Sequence, residues 1–146
     1  KLLIIVLAIT APASAMAEVI SIGPEEARNK AIAGEIVMID IRSFEEVAES
    51  GILDVALLVD KFAPGFTQKL IAIQAQAQST PIAVFYRRGG CADDLEADLL
   101  AIGFSGVYDV LGGFYGSDLD AGWGKRVLPI RTIDMGVNTK VPLTQP

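Results

Sequence analysis

The side chains best suited to chemistry lie together in one short segment. The only cysteine, Cys91, directly follows the Arg-Arg-Gly-Gly sequence of residues 87–90. A helix is predicted to begin at or beside Cys91, and both a helix N-terminus and nearby guanidinium groups favour the reactive thiolate. Asp93 and Asp94 act in the opposite direction. The sequence therefore leaves open whether Cys91 is a reactive thiol or a small, half-buried residue with no chemistry.

The two arginines of this segment, Arg87 and Arg88, are candidates for binding an anion. Guanidinium groups make paired hydrogen bonds with the oxygens of sulfate, phosphate or carboxylate. Gly89 and Gly90 allow the backbone turn that a binding loop at this place would need. The same residues also fit a solvated turn whose charge is offset by the acidic residues that follow, and both interpretations stay open.

The composition excludes several other kinds of site. The sequence has no histidine and one cysteine, so it cannot form a Cys–His or Ser–His dyad, a CxxC redox pair or a multi-cysteine zinc site. We therefore expect no metal and no cofactor. The net charge of −6 disfavours nucleic acid as a partner, because an acidic chain repels phosphate backbones.

Alternating strands and helices must position these residues. Apolar runs predict buried strands at residues 19–22, 36–39, 55–59, 82–86 and 107–110, and helical patterns occupy 24–33, 43–49, 66–78 and 92–102. This order predicts an α/β fold with a mostly parallel central sheet covered by helices. Ligand sites in such sheets lie at the carboxyl ends of the strands, here Asp40 to Arg42 and the turn after Tyr86.

The first seventeen residues have the features of a signal peptide. Lys1 precedes an unbroken apolar run over residues 2–9, and small residues at a cleavage-type spacing end at Ala15 and at Ala17. The run is too short to cross a bilayer, which takes about 20 residues. We expect cleavage after Ala17 or Ala15 and a periplasmic mature protein without a membrane span. The alternative is a buried N-terminal strand or helix.

Four landmarks, in this order, resemble those of the rhodanese family. They are a strand ending in Asp40-Ile41-Arg42, an acidic helix with Glu45-Glu46, a strand–loop–helix unit over residues 82–104, and Val110-Leu111-Gly112-Gly113 followed by Trp123 and Leu128-Pro129. The resemblance implies a rhodanese-like three-layer α/β/α domain over residues 18–130, after a signal peptide at 1–17. A loosely structured tail is expected at 131–146.

The resemblance also implies where the chemistry would lie. In this family a cysteine at the strand end carries a persulfide, and a six-residue loop surrounds it. Tyr86 falls on that nucleophile position, residues 87–90 fill the loop, and Cys91 falls where an arginine usually closes it. Asp40 and Arg42 match a pair that supports the loop. A phenol cannot carry the sulfur, so Tyr86 either fills the pocket or donates a hydrogen bond to a bound anion.

Two functions follow as hypotheses. In the first, the domain is non-catalytic and binds a small sulfur-containing anion, or an exported partner protein, in a loop formed by Arg87, Arg88, Gly89, Gly90 and Cys91. In the second, it is an active thiosulfate or persulfide sulfurtransferase whose persulfide is carried by the displaced Cys91. Phosphatase activity is disfavoured, because related phosphatases use a longer loop that begins with cysteine.

Overall fold

Five parallel strands form the centre of the molecule in the computed structural model, which describes residues 19–89 and 93–133. In chain order the elements are β1 (Val19–Ile22), α1 (Pro24–Ile32), β2 (Val37–Asp40), α2 (Phe44–Ser50), β3 (Ile52–Leu53), β4 (Ala56–Leu58), α3 (Phe66–Ala77), β5 (Ile82–Phe85), α4 (Asp93–Ile102), β6 (Val107–Val110), a 3-10 helix (Gly124–Arg126) and β7 (Ile130–Arg131). The large sheet has the order β1-β6-β5-β2-β4, and β3 and β7 form a separate antiparallel pair.

The register of the sheet brings three strand ends to one edge. Asp40, the last residue of β2, is paired with Phe85 of β5 on one side and with Leu58 of β4 on the other. The segments that begin at Ile41, Val59 and Tyr86 therefore leave the sheet side by side. Backbone hydrogen bonds from Ile41 to Phe85 and from Val59 to Asp40 continue the alignment beyond the strands.

Two apolar clusters lie on the two faces of the sheet. Neighbouring residues of β5 belong to different clusters, Ala83 and Phe85 to one and Ile82 and Val84 to the other, as the alternation of side chains along a strand requires. The first cluster includes α1 and the fully buried Trp123, and the second includes residues of α3 and α4. Helices thus cover both faces, and the three-layer α/β/α arrangement predicted from the sequence is confirmed.

The local signals of α2 are confirmed in detail. Ser43 accepts a hydrogen bond from the backbone N–H of Glu46, and the Glu46 carboxylate accepts one from the backbone N–H of Ser43. This reciprocal capping box satisfies two N–H groups that the first turn of a helix leaves without partners. Gly51 ends the helix with φ of 81°, a value that glycine adopts without strain.

The small β3–β7 sheet was not predicted from the sequence. Each strand is two residues long, too short to produce a periodic pattern. Leu53 pairs with Ile130 and Ile52 with Arg131, so β7 includes the first residue of the segment that we expected to be a loose tail. None of the helices formed by the described residues is long and apolar enough to span a membrane. The predicted signal peptide lies outside those residues.

Candidate functional site

A buried ion pair stands at the end of β2. The side chains of Asp40 and Arg42 are both fully buried, and Arg42 Nη2 donates to Asp40 Oδ2 at 2.6 Å while Nε donates to Oδ1 at 2.9 Å. Burial raises the pKa of Asp40 above its ordinary value, and the hydrogen bonds and charge of Arg42 oppose that rise. Two charges at this depth are tolerated because each is the other's partner.

Arg42 uses its remaining contacts to join neighbouring parts of the pocket wall. Its Nη1 donates to Ser50 Oγ at 2.7 Å and its Nη2 to the carbonyl of Gly51 at 2.8 Å, which fixes the C-terminal end of α2. Its guanidinium lies 4.5 Å from the centre of the Phe114 ring. The charge of Arg42 is therefore engaged within the protein, and its role is to hold the walls together.

The loop after β5 rests on the segment 112–115. The backbone N–H of Phe114 lies 3.0 Å from the carbonyls of both Tyr86 and Arg87, and that of Tyr115 donates to the Arg87 carbonyl at 3.0 Å. A Cβ atom on Gly113 would lie 2.5 Å from Gly89 N. This contact explains the glycine at position 113, because the backbone of the loop after β5 occupies the space that a side chain there would need.

Tyr86 lies at the strand end, between the core and the pocket. It is 9% exposed and belongs to the same apolar cluster as Ile41, Val59 and Leu99. One side of the residue also lines a pocket at this edge of the sheet. The residue that the sequence resemblance places at the nucleophile position is therefore largely part of the core, and its aromatic ring fills space that a smaller side chain would leave empty.

The pocket has a volume of about 490 Å³ and an uneven charge. Its exposed cations, Lys61, Arg87 and Arg88, outnumber its one carboxylate, Glu46. Asp60, next to Lys61 in the sequence, accepts hydrogen bonds from the backbone N–H groups of Phe44 and Phe62. The pocket is lined by Ile41, Arg42, Ser43, Glu46, Lys61, Phe62, Tyr86, Arg87 and Arg88.

The two arginines of the loop are held differently. Arg87 Nε lies 3.3 Å from Glu46 Oε1, and the Arg87 guanidinium lies 5.4 Å from the centre of the Tyr115 ring. Among the described residues, the exposed Arg88 side chain has no hydrogen bond, ion pair or ring contact. Arg87 is therefore oriented by its neighbours, whereas the charge of Arg88 is available to a ligand.

The structure gathers most of the residues proposed from the sequence. Tyr86, Arg87, Arg88 and Arg42 line the pocket, Gly89 lies behind it against Gly112, and Asp40 lies beneath Arg42. Gly90 and Cys91 lie outside the described residues, so the proposed role of Cys91 stays a prediction. Within the described ranges no group of three or more His, Cys, Asp or Glu residues could hold a metal ion.

Sequence reasoning missed the part of the pocket that follows β4. Lys61 and Phe62 line it, and the backbone N–H of Lys61 donates to the Ile41 carbonyl at 3.3 Å. The rule that places ligand sites at strand ends also applies to β4 and could have identified these residues. The contact of Glu46 with Arg87 joins two distant segments, and no local pattern indicates it.

Comparison with known proteins agrees with this geometry. A family model for the rhodanese-like domain matches residues 23–117. The chain belongs to this family. The matched range includes the buried Asp40–Arg42 pair, Tyr86 and the Gly112-Gly113 contact, and so most of the structure around the pocket. No curated protein sequence matches the chain.

Two solved structures show the same fold at low sequence identity. The crystal structure of Rv0390 from M. tuberculosis has a TM-score of 0.61 and 20% identity, and the match covers 79% of this chain and 98% of that one. The solution structure of the 30 kDa polysulfide-sulfur transferase homodimer from Wolinella succinogenes has a TM-score of 0.56 and 21% identity, with 83% and 84% covered. At these identities the likeness establishes the fold of this rhodanese-like domain.

Proposed function

We propose that this rhodanese-like domain is non-catalytic at the strand-end position and binds an anionic group in the pocket beside Tyr86. The observation that carries the proposal is Tyr86 itself. Its side chain has no thiol, it is 9% exposed, and it is embedded in the apolar cluster at the place where the family resemblance puts the nucleophile. A phenol in this position can bound a ligand site, but it cannot accept a transferable sulfur atom.

The charge distribution supports an anion as the ligand. Lys61, Arg87 and Arg88 surround an opening that contains one carboxylate, on a chain whose net charge is −6. Because the whole molecule is acidic, a local excess of cations indicates selection for a negative group at that place. Within the part of the chain that the structure describes, the Arg88 guanidinium has no partner, so it can form paired hydrogen bonds with carboxylate, sulfate or thiosulfate oxygens.

Sulfur loading tests the non-catalytic half of the proposal. The purified protein and its Cys91→Ser variant are incubated with thiosulfate, and intact mass is measured before and after cyanide is added. In a working sulfurtransferase the thiolate takes the outer sulfur of thiosulfate and releases sulfite, and cyanide then removes that sulfur as thiocyanate. We expect no added sulfur in either protein. A cyanide-labile gain of one sulfur that Cys91→Ser abolishes would establish the alternative, a sulfurtransferase acting through Cys91.

Calorimetric titration tests the binding half. Sulfate and thiosulfate are titrated at low ionic strength into the wild type, Arg88→Ala and Lys69→Ala, which removes a cation from the exposed surface of α3. We expect Arg88→Ala to weaken binding by about tenfold, the equivalent of roughly 1.4 kcal/mol for a charge-assisted hydrogen bond, and Lys69→Ala to leave it unchanged. An equal response from both variants would mean that the anions only screen the surface charge.

A further inference from the structure

A second depression lies next to the basic pocket and has a different character. It has a volume of about 340 Å³, and the side chains that line it are almost all apolar. Val127 and Ile130 stand exposed at this place, at 87% and 47% of their surface. We call it the apolar groove. It is lined by Phe114, Tyr115, Gly124, Lys125, Val127, Leu128 and Ile130.

The apolar groove and the basic pocket share a boundary. Tyr115 lines the groove and Arg87 lines the pocket, and the Arg87 guanidinium lies 5.4 Å from the centre of the Tyr115 ring. The neighbouring ring of Phe114 meets Tyr115 edge to face, with 5.0 Å between ring centres. A ligand group at Arg87 is therefore about one or two extended residues from the groove, since a strand rises about 3.3 Å per residue.

Val127 adds an independent observation at the groove. Its backbone adopts the left-handed conformation, with φ of 55° and ψ of 35°, which is unfavourable for a β-branched residue. A side chain that is 87% exposed recovers little of that cost by packing within the chain. Strained backbone concentrates at functional sites, and here it presents an apolar side chain to solvent beside an apolar depression.

We infer that the pocket and the groove together bind an extended peptide segment of a partner protein, in which a carboxylate side chain lies one or two residues from a bulky apolar side chain. This inference rests on the proposed anion-binding function. The carboxylate binds Arg87 and Arg88, and the apolar side chain enters the groove beside Val127. A peptide meets both requirements because it carries the two groups at the short separation that the shared boundary sets. The exposed cations give the charge complementarity, and the groove gives the specificity.

Selection from a random heptapeptide library displayed on phage tests the inference with the full chain. We expect enriched sequences to hold Asp or Glu one or two positions from Leu, Ile, Phe or Met. A synthetic peptide of the enriched sequence, acetylated and amidated, is then titrated by calorimetry. Replacement of its Glu by Gln, or of its bulky residue by Ala, should each weaken binding at least fivefold.

Variants of the protein assign the two contacts. Arg88→Ala should reduce the discrimination between the Glu and Gln peptides, since Arg87 remains, and should keep that between the bulky residue and Ala. Val127→Gly should reduce the discrimination between the bulky residue and Ala and keep that between Glu and Gln. The variant should still fold, because glycine tolerates the left-handed backbone conformation. Leu119→Gly is the matched control, because Leu119 is 83% exposed and does not line the groove.

Three outcomes would overturn the inference. If sulfate binds through Arg88 and no peptide is enriched, anion binding stands and the peptide inference fails. If neither sulfate nor any peptide binds, both the proposed anion-binding function and the peptide inference are wrong. If light scattering shows that the protein dimerises and Val127→Gly makes it monomeric, the groove is occupied by a second copy of the chain.

Discussion

A single guanidinium group, that of Arg42, determines how the pocket is built. It is fully buried, it pairs with Asp40, and it also contacts Ser50, Gly51 and Phe114. A buried pair of charges adds little stability over an apolar pair of the same shape, but removing one partner leaves the other charged and unsatisfied. Arg42 therefore fixes the geometry of several segments whose own packing would not align them.

Replacement of Arg42 should be among the most damaging single changes. Arg42→Met retains bulk but leaves the Asp40 carboxylate buried alone, and we expect a loss of about 3–5 kcal/mol in the free energy of unfolding. The double variant Arg42→Met with Asp40→Leu should recover part of that loss, because no uncompensated charge remains. Urea unfolding followed by circular dichroism measures both. A double variant no more stable than the single one would contradict this explanation.

At the scale of elements, the site depends on one contact between two backbones. The loop after β5 and the segment 112–115 approach so closely that a Cβ atom on Gly113 would lie 2.6 Å from the Tyr86 carbonyl oxygen and 2.7 Å from Arg88 N. Hydrogen bonds from Phe114 and Tyr115 hold the same pair of segments. The positions of Arg87 and Arg88 are thus set by the segment after β6 as much as by their own loop.

Gly113→Ala should separate these segments. The added methyl group collides with backbone atoms that cannot move aside independently, so we expect weaker anion binding and a lower unfolding temperature. Gly34→Ala is the matched control, because Gly34 also has positive φ, 73°, but nothing lies within 4 Å of the place that its methyl group would take. We expect Gly34→Ala to lower the free energy of unfolding by about 1 kcal/mol, which measures the backbone strain alone. Equal losses in the two variants would mean that the contact does not matter.

The segment after β6 also contains an acid-sensitive interaction. Asp120 accepts hydrogen bonds from Arg126 and from the backbone N–H of Gly122, and mainly the bond from Arg126 lowers the pKa of Asp120. A lowered pKa means that the folded state favours the ionised carboxylate. The stabilisation is therefore present above the unfolded value of about 3.9 and is lost as the pH falls below it.

Asp120→Asn should reveal this dependence. We expect the variant to be less stable than the wild type by a constant amount above pH 5, because the charged hydrogen bond to Arg126 is missing. The difference should shrink as the pH falls below about 4, since the wild-type carboxylate then becomes protonated as well. Thermal unfolding across this pH range provides the measurement, and a difference that does not change with pH would assign the effect to packing.

At the scale of the whole molecule, an acidic surface surrounds a basic pocket. The net charge of −6 repels anions at long range, whereas the proposed anion binding needs attraction only at short range, from Lys61, Arg87 and Arg88. Salt screens charges separated by more than about 10 Å at 0.1 M, so moderate salt removes the repulsion before it removes the contact. The molecule should therefore favour anionic groups that can reach the arginines over diffuse polyanions.

The N-terminal segment gives the prediction that concerns the whole chain. We propose that residues 1–17 direct export and are removed. Fused to a phosphatase that is active only outside the cytoplasm, the full chain should give activity, and a fusion that begins at residue 18 should not. N-terminal sequencing of the exported product should begin at residue 18 or 16. Equal activity of the two fusions would leave the segment without an export role.

The fold was largely predictable because its signals are local. The apolar run of β5 and the Ser43–Glu46 capping box each specify their own element, and the order of strands and helices specifies the parallel sheet. The site was predictable where it follows β2 and β5. The contacts of Glu46 with Arg87 and of Tyr115 with Arg87 depend on tertiary packing between distant segments, and the apolar groove depends on turns that have no period.

The burial of Tyr86 opposes its replacement by cysteine during evolution. A cysteine at this position would supply a thiol but would remove an aromatic ring from the cluster that includes Ile41 and Val59, leaving a cavity that typically costs about 2–4 kcal/mol. A return to cysteine at residue 86 would therefore destabilise the fold whether or not it restored a reactive thiol. Once the core has adapted to the ring, the packing itself resists that reversal.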